Sequence, residues 1–250
     1  MNSDKLNELI KILNESTSVV FFGGAGVSTA SNIPDFRGAH GLYKYSPEEM
    51  ISHTFFMNHT QEFYEFYFEK MVYLDALPNP CHYGLKTLED KGKLKAIITQ
   101  NIDNLHQMAG SNNVIELHGS VYRNHCMKCH RFYDIYSDPF KKINYKGIPK
   151  CECGGIIKPD VTLYEEQLDY NSITQAINYI SNCDTLIIAG TSLVVYPARS
   201  FIDYFRGKNV IVINLGETNY PKYLNANILE INGKVEEYIN PQTMEKVGQK

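Results

Sequence analysis

Four short runs of apolar residues set the rhythm of this chain: Ser18 to Phe22 (SVVFF), Leu94 to Ile98 (LKAII), Thr185 to Ala189 (TLIIA) and Val210 to Ile213 (VIVI). They are nearly continuous instead of alternating, which is the pattern of strands buried on both faces of a sheet. Between them lie stretches with apolar residues at helical spacing, and the first, MNSDKLNELIKIL, predicts an amphipathic helix at the N-terminus. Strand and helix in alternation predict an α/β fold with a mostly parallel sheet and helices on both faces. Each run stops at polar or turn-forming residues: Gly24, Ala25 and Gly26; Gln100, Asn101 and Asp103; Gly190, Thr191 and Ser192; Asn214 and Leu215. Open α/β sheets bind ligands at the carboxyl ends of their strands, so these tips are expected to line one slot suited to an extended, phosphate-bearing molecule.

The first of these ends is followed by Ser28, Thr29 and Ala30, a segment able to open a helix. Strand, glycine turn and helix together form a phosphate-binding arrangement, because backbone N–H groups and the helix dipole point at the anion. The third glycine of the dinucleotide fingerprint is absent, and a plain tight turn stands as an equal reading.

Two regions break the rhythm. Residues 44–85 read as helical and rich in Phe and Tyr, and residues 119–160 contain four of the six cysteines. Both are assigned to a smaller domain inserted into a Rossmann-like domain made of residues 1–43, 86–118 and 161–250. The aromatic stripe from Phe55 to Tyr73 is expected to be core, since helix-spaced aromatics usually pack inward. Cys126-x2-Cys129 and Cys151-x-Cys153, followed by Gly154 and Gly155, have the layout of a zinc ribbon with a tightened second knuckle. Four thiolates fill a tetrahedral shell and leave no position for water, so a structural zinc ion is expected. His125 and His130 read as exposed loop residues beside it, and Cys81 and Cys183 as small core residues.

Composition narrows the class. With 250 residues, 43% hydrophobic and 21% charged, the chain can bury a sizeable core. Its formal net charge of −4 supplies no basic excess for direct nucleic-acid binding, although Lys141 and Lys142 form a local basic pair. No apolar stretch reaches membrane-spanning length and the N-terminus is not a secretory signal, so no membrane association and a soluble, cytoplasmic protein are expected.

Taken in order, GAGVSTASNIPDFRG (24–38), TQNIDNLH (99–106), LHGS (117–120), the cysteine pairs, KPDV (158–161), GTSLVVYPA (190–198) and INL (213–215) resemble the sirtuins, of bacterial type. The resemblance spans nearly the whole chain and implies an NAD-dependent protein lysine deacetylase. Such an enzyme moves the acetyl group of an acetyl-lysine onto ADP-ribose, releasing nicotinamide and 2′-O-acetyl-ADP-ribose. By matching motif, Ala25, Thr29, Thr191, Ser192 and Asn214 would contact the adenosine and phosphate end of NAD, with Gly24, Gly26, Gly190, Leu215 and Val235 beside them. Phe36 and Arg37 would lie on a cofactor loop, with Phe36 covering the reacting ribose. Gln100 would bond the ribose, and Asn101, Ile102 and Asp103 would form the nicotinamide pocket. Asn101 and His118 would be the catalytic pair, while Val161, Thr162, Leu163, Tyr164 and Val194 would meet the acetylated protein substrate.

The residue types suit those tasks. A carboxamide needs a carboxylate acceptor for its NH2 and a backbone donor for its carbonyl, which Asp103 and the Ile102 backbone can supply. An imidazole titrates near working pH, which suits His118 as a general base on the ribose hydroxyls. Two departures stand out: Gly23 replaces the usual Thr, and Tyr164-Glu165-Glu166 replaces the usual Phe-Gly-Glu. A side chain at 165 would either obstruct the approaching peptide or acidify its path and favour basic residues near the target lysine. Members that remove acidic acyl groups carry Tyr-x-x-Arg in the acyl pocket; here Tyr64 is followed three residues later by Tyr67, so neutral acyl groups are expected. Mono-ADP-ribosyl transfer from the same NAD site, or a non-catalytic zinc-ribbon nucleotide-sensing module, are the alternatives.

Overall fold

The computed structural model describes residues 2–35, 46–221 and 223–249. Among the described residues nine strands form two sheets: β1 (Val19–Gly23), β2 (Leu94–Thr99), β3 (Val114–Glu116), β4 (Arg123–Cys126), β5 (Phe132–Asp134), β6 (Ile157–Pro159), β7 (Thr185–Ala189), β8 (Asn209–Asn214) and β9 (Asn227–Asn232). The larger sheet has the order β3-β2-β1-β7-β8-β9. All its neighbouring pairs are parallel. The four apolar runs are its four inner strands, and β1 and β7 are buried at every position.

Side chains alternate across this sheet. Val19 and Phe21 face one layer with Leu6, Leu9, Ile12 and Leu13 of the helix Ser3–Glu15 and with Cys81, Leu85 and Leu88. Val20 and Phe22 face the other, with Ala176, Ile180 and Cys183 of the helix Tyr170–Asn182 and its end. Helices therefore cover both faces, and both isolated cysteines are core residues. The N-terminal helix begins at Asn2, whose side chain accepts hydrogen bonds from the Asp4 and Lys5 N–H groups. Sequence reasoning missed the two edge strands. β3 is three residues long, and β9 alternates buried Leu229 and Ile231, which face one core layer, with exposed Glu230 and Asn232 on its other face.

The smaller sheet, in the order β5-β4-β6, is antiparallel. The helices His53–Asn58 and Thr60–Lys70 form a separate module around Phe55, Phe56, Phe63, Tyr64, Phe66 and Tyr67, so the aromatic stripe is core. The Tyr64 hydroxyl donates to the carbonyl of Ile157 in β6, tying this module to the small sheet.

Packing departs from the expected boundaries at two points. The helix Pro80–Asp90 straddles the division at 85/86, and its Cys81, Leu85 and Leu88 all pack under the large sheet. Val161 and Leu163, assigned from sequence to the large domain, pack instead with the aromatic module. The helix expected to open at Ser28 is also absent. In its place are two 3-10 turns, Ala25–Val27 and Thr29–Ser31, ended by Asn32 in the left-handed region at φ 63°. The Thr29 hydroxyl donates to the Gly26 carbonyl at 3.0 Å, a local bond that competes with helical backbone pairing.

Candidate active site

In the large sheet the strand order reverses direction at β1, which has β2 on one side and β7 on the other. Ligand clefts of open α/β sheets form outside the carboxyl ends at such a point. A cavity of ≈ 960 Å³ lies there, at the roomy end of the roughly 300–1,000 Å³ usual for ligand sites. Four strand ends line it: Ala25, Gly26 and Thr29 after β1, Gln100 to Asp103 after β2, Gly190 to Ser192 after β7, and Asn214 and Leu215 after β8. His118 after β3 lines it as well, as does Val235 near the C-terminus. Val161 to Tyr164 and Val194 complete the wall toward the small domain. Gly24 stands behind the lining, with its N–H bonded to the Ala189 carbonyl at 3.2 Å. Phe36 and Arg37 lie outside the described residues.

Backbone contact sets the shape of the phosphate-facing end. The Gly26 N–H donates to the Gly190 carbonyl at 2.8 Å. A Cβ on Gly26 would come within 2.8 Å of the Gly190 Cα, while Gly190 itself sits at φ +59°. Only glycines permit this approach of the β1 and β7 ends. The Thr191 carbonyl accepts from the Thr218 hydroxyl (3.2 Å), which in turn accepts from the Asn214 side chain (3.1 Å), so the β7 and β8 tips are held together.

At the other end, a chain of side chains converges. The Asn101 amide donates to Ser28 Oγ at 3.0 Å, and the Ser28 hydroxyl donates to Asp103 Oδ2 at 2.6 Å. The Leu105 N–H occupies Asp103 Oδ1 at 3.0 Å. Burial pushes the Asp103 pKa up, opposed by the hydrogen bonds from Ser28 and Leu105. Ser28 was not singled out from the sequence, although it is 1% exposed and joins the two residues that were. Its signal lay within GAGVSTA, where the glycines drew attention first.

His118 stands at the seam between the domains. Its Nδ1 lies 2.9 Å from the Gln100 carbonyl oxygen; the oxygen can only accept, so Nδ1 carries the proton and the lone pair of the neutral ring resides on Nε2. Burial lowers the His118 pKa, and the bond to Gln100 opposes this. The His118 carbonyl accepts from the Thr162 N–H at 3.0 Å, placing the Val161–Tyr164 segment directly beside it. Gly119 follows at φ +75°, and a Cβ there would lie 1.7 Å from the Asp160 carbonyl oxygen. Nearby, Arg123 Nη1 contacts Glu116 Oε2 at 2.6 Å and its Nε lies 3.6 Å from Asp160 Oδ2, bracing the strands that cross between the domains.

The sulfur atoms of Cys126, Cys129, Cys151 and Cys153 all lie within 4.8 Å of one another. Two of the edges measure 3.5 and 3.6 Å, close to the roughly 3.8 Å that four Zn–S bonds of about 2.3 Å imply. The Lys128 and Cys129 N–H groups point at Cys126 Sγ (3.4 and 3.5 Å), and the Tyr133 hydroxyl donates to Cys151 Sγ (3.1 Å), as suits thiolate acceptors. His125 is half-buried in β4 with its Nδ1 3.0 Å from Asp160 Oδ1, and His130 is exposed; neither belongs to the cluster. His125 is thus a strand residue, not the loop residue expected.

Fold and site together define an α/β protein with a dinucleotide-type cleft completed by a smaller thiolate-bearing domain. Residues 24–197 match the Sir2 family model, and the chain belongs to that family. It is 56% identical over 243 residues to an NAD-dependent protein deacetylase of Clostridium acetobutylicum, covering 94% of this chain and 98% of that protein. A Thermotoga maritima protein of the same description is 42% identical over 220 residues, with 86% and 89% covered. A solved structure described as Sir2-p53 peptide-NAD+ superposes with a TM-score of 0.84 at 38% identity, covering 97% of this chain and 98% of the other. Among the described residues no helix is long and apolar enough to cross a membrane.

Proposed function

We propose that this chain is an NAD-dependent protein lysine deacetylase, transferring the acetyl group of an acetyl-lysine to ADP-ribose with release of nicotinamide and 2′-O-acetyl-ADP-ribose. The convergence of Asn101, Asp103 and His118 on one cleft, between a glycine-shaped turn and the Val161–Tyr164 segment, carries the reading. NAD supplies the glycosidic bond that breaks and the ribose that accepts the acetyl group.

In this reading the β1, β7 and β8 ends hold the adenosine and phosphates. Gln100 orients the ribose. Asp103 accepts the carboxamide NH2, and the Asn101–Ser28–Asp103 chain keeps both side chains in one orientation. A closed cleft holds the reacting sugar dry and aligned for attack by the acetyl oxygen. His118, neutral because burial lowers its pKa and with its lone pair on Nε2, takes the proton from a ribose hydroxyl so that the 2′ oxygen can receive the acetyl group. Cys126, Cys129, Cys151 and Cys153 would hold one structural zinc ion. Acetylated lysines on proteins are the partner, and neutral acyl groups are preferred: Tyr64 and Tyr67 are both fully buried, and the segment Phe63–Tyr67 holds no arginine.

Incubation with an acetyl-lysine peptide and NAD tests the reading. Nicotinamide and acetyl-ADP-ribose should appear in equal amounts. ADP-ribose attached to protein, with the peptide still acetylated, would point to the transferase alternative instead.

A further inference from the structure

Glu165 holds one of the unusual backbone conformations in the molecule, in the left-handed region at φ 75°. A side chain is tolerated there because it is used. One carboxylate oxygen accepts from the Thr54 N–H at 2.9 Å and from the Thr54 hydroxyl at 2.7 Å, and these bonds hold its pKa below the usual carboxylate range. The adjoining segment is laced to the same neighbour: the Tyr164 N–H donates to the Ile51 carbonyl (3.0 Å) and the His53 N–H to the Tyr164 carbonyl (3.0 Å). Glu166 completes the frame, accepting from the Leu163 N–H (2.9 Å) and Lys158 Nζ (3.1 Å) on one oxygen and pairing with His53 Nδ1 (2.9 Å) on the other.

Both carboxylates thus bond to the neighbouring helix His53–Asn58, while Glu165 itself is exposed and borders the cleft. Glu166 is spent on Lys158, His53 and Leu163, and one oxygen of Glu165 on Thr54. We propose that Glu165 is a positioning residue that pins the substrate-facing segment Val161–Tyr164 against the helix His53–Asn58 before substrate arrives. A glycine at 165 would accept the left-handed backbone more readily but could make neither bond to Thr54. The side chain exchanges backbone freedom for a preformed edge, which lowers the ordering cost of peptide binding.

The proposal rests on the deacetylase reading for its kinetic arm, while hydrogen exchange tests it independently. In the free protein, Glu165→Ala should speed amide exchange at Thr54 and across residues 161–166, with the strands of the large sheet unaffected. In the assay it should raise KM for an acetyl-lysine peptide about fivefold, as expected for losing a capping-type contact, with KM for NAD unchanged. Glu165→Gln keeps an acceptor oxygen within reach of Thr54 and should restore both exchange and KM. Thr54→Val should reproduce part of the Glu165→Ala defect and add nothing to it in the double variant. Unchanged exchange in Glu165→Ala overturns the proposal. So does a Glu165→Gln defect as large as that of Glu165→Ala, or one confined to peptides with flanking basic residues, since either assigns the role to charge. Faster exchange in Glu165→Ala, with no deacetylation by the unmodified protein, would uphold the clamp and sink the deacetylase reading alone.

Discussion

The carboxyl edge of the large sheet and the small sheet hold their residues by different means. At the large sheet, main-chain bonds between strand ends, the Gly26–Gly190 contact and two apolar layers fix the cleft without help from any ligand. The small sheet has three short strands, and its own core is Ile135, Phe140 and Ile157 beside Cys126 and Cys151. Three such side chains are a small core for the segment 119–160, whose backbone must be ordered on folding. The thiolate cluster and the aromatic module have to make up the difference. One region is thus held by its own packing, and the other is proposed to depend on a metal held by its four cysteines.

Removing the metal proposed for the four-cysteine cluster is the strongest way to break this comparison. Structural zinc contributes on the order of 10 kcal/mol to the domains that bind it, so chelation or Cys129→Ala should abolish amide protection in β4, β5 and β6. Protection in β1, β7 and β8 should survive. Retention of the small sheet after verified metal loss would refute the contrast.

His118→Ala examines the seam between the regions. Loss of the proposed general base should lower kcat by roughly 10²- to 10⁴-fold, with the melting temperature and NAD affinity nearly unchanged. Because the His118 pKa lies below its usual value, activity should be flat above about pH 6.5 and fall only in more acidic solution. A normal kcat in the variant would assign the proton transfer elsewhere.

Gly119→Ala tests the same seam mechanically. Its Cβ would collide with the Asp160 carbonyl in a left-handed backbone, and a destabilisation of about 2–4 kcal/mol is expected by thermal or denaturant unfolding. An unaffected midpoint would mean the crossing strands are looser than they look.

The smallest effect concerns acid stability of the large domain. His82 and His106 are packed against each other at 4.7 Å between ring centroids, both buried. Burial lowers the pKa of both, that of His82 to about 4. Unfolding raises these values toward 6.5, so the unfolded chain binds more protons in between. Stability is therefore full above about pH 6.5 and declines as pH falls toward 4, with His82 alone accounting for about 2 kcal/mol at pH 5. Replacing His82 by Phe should flatten that slope, which urea titrations at several pH values would reveal.

Much of this was legible in the linear order of residues. The inner strands declare themselves because burial on both faces demands continuous apolar runs such as TLIIA, and the cysteine pairs because metal geometry demands their spacing. The edge strands β3 and β9 were silent, being short or alternating. The turn after β1 departs from glycine-then-helix patterning: Thr29 bonds back to Gly26, while Ser28 and Ser31 bond across to Asp103 and Asn79. The boundary at 85/86 failed because composition reports helix character and not which core a helix joins.

By itself, the sequence determined the class of fold, the identity of the thiolate set and the motif residues around the cleft, since each follows from local spacing and side-chain chemistry. Only the tertiary structure decided that Ser28 links Asn101 to Asp103, that the Gln100 carbonyl sets the His118 tautomer, and that Glu165 bonds to Thr54. Those choices depend on contacts between segments up to about a hundred residues apart, where hydrogen bonding and burial are settled by packing and leave no periodic trace in the chain.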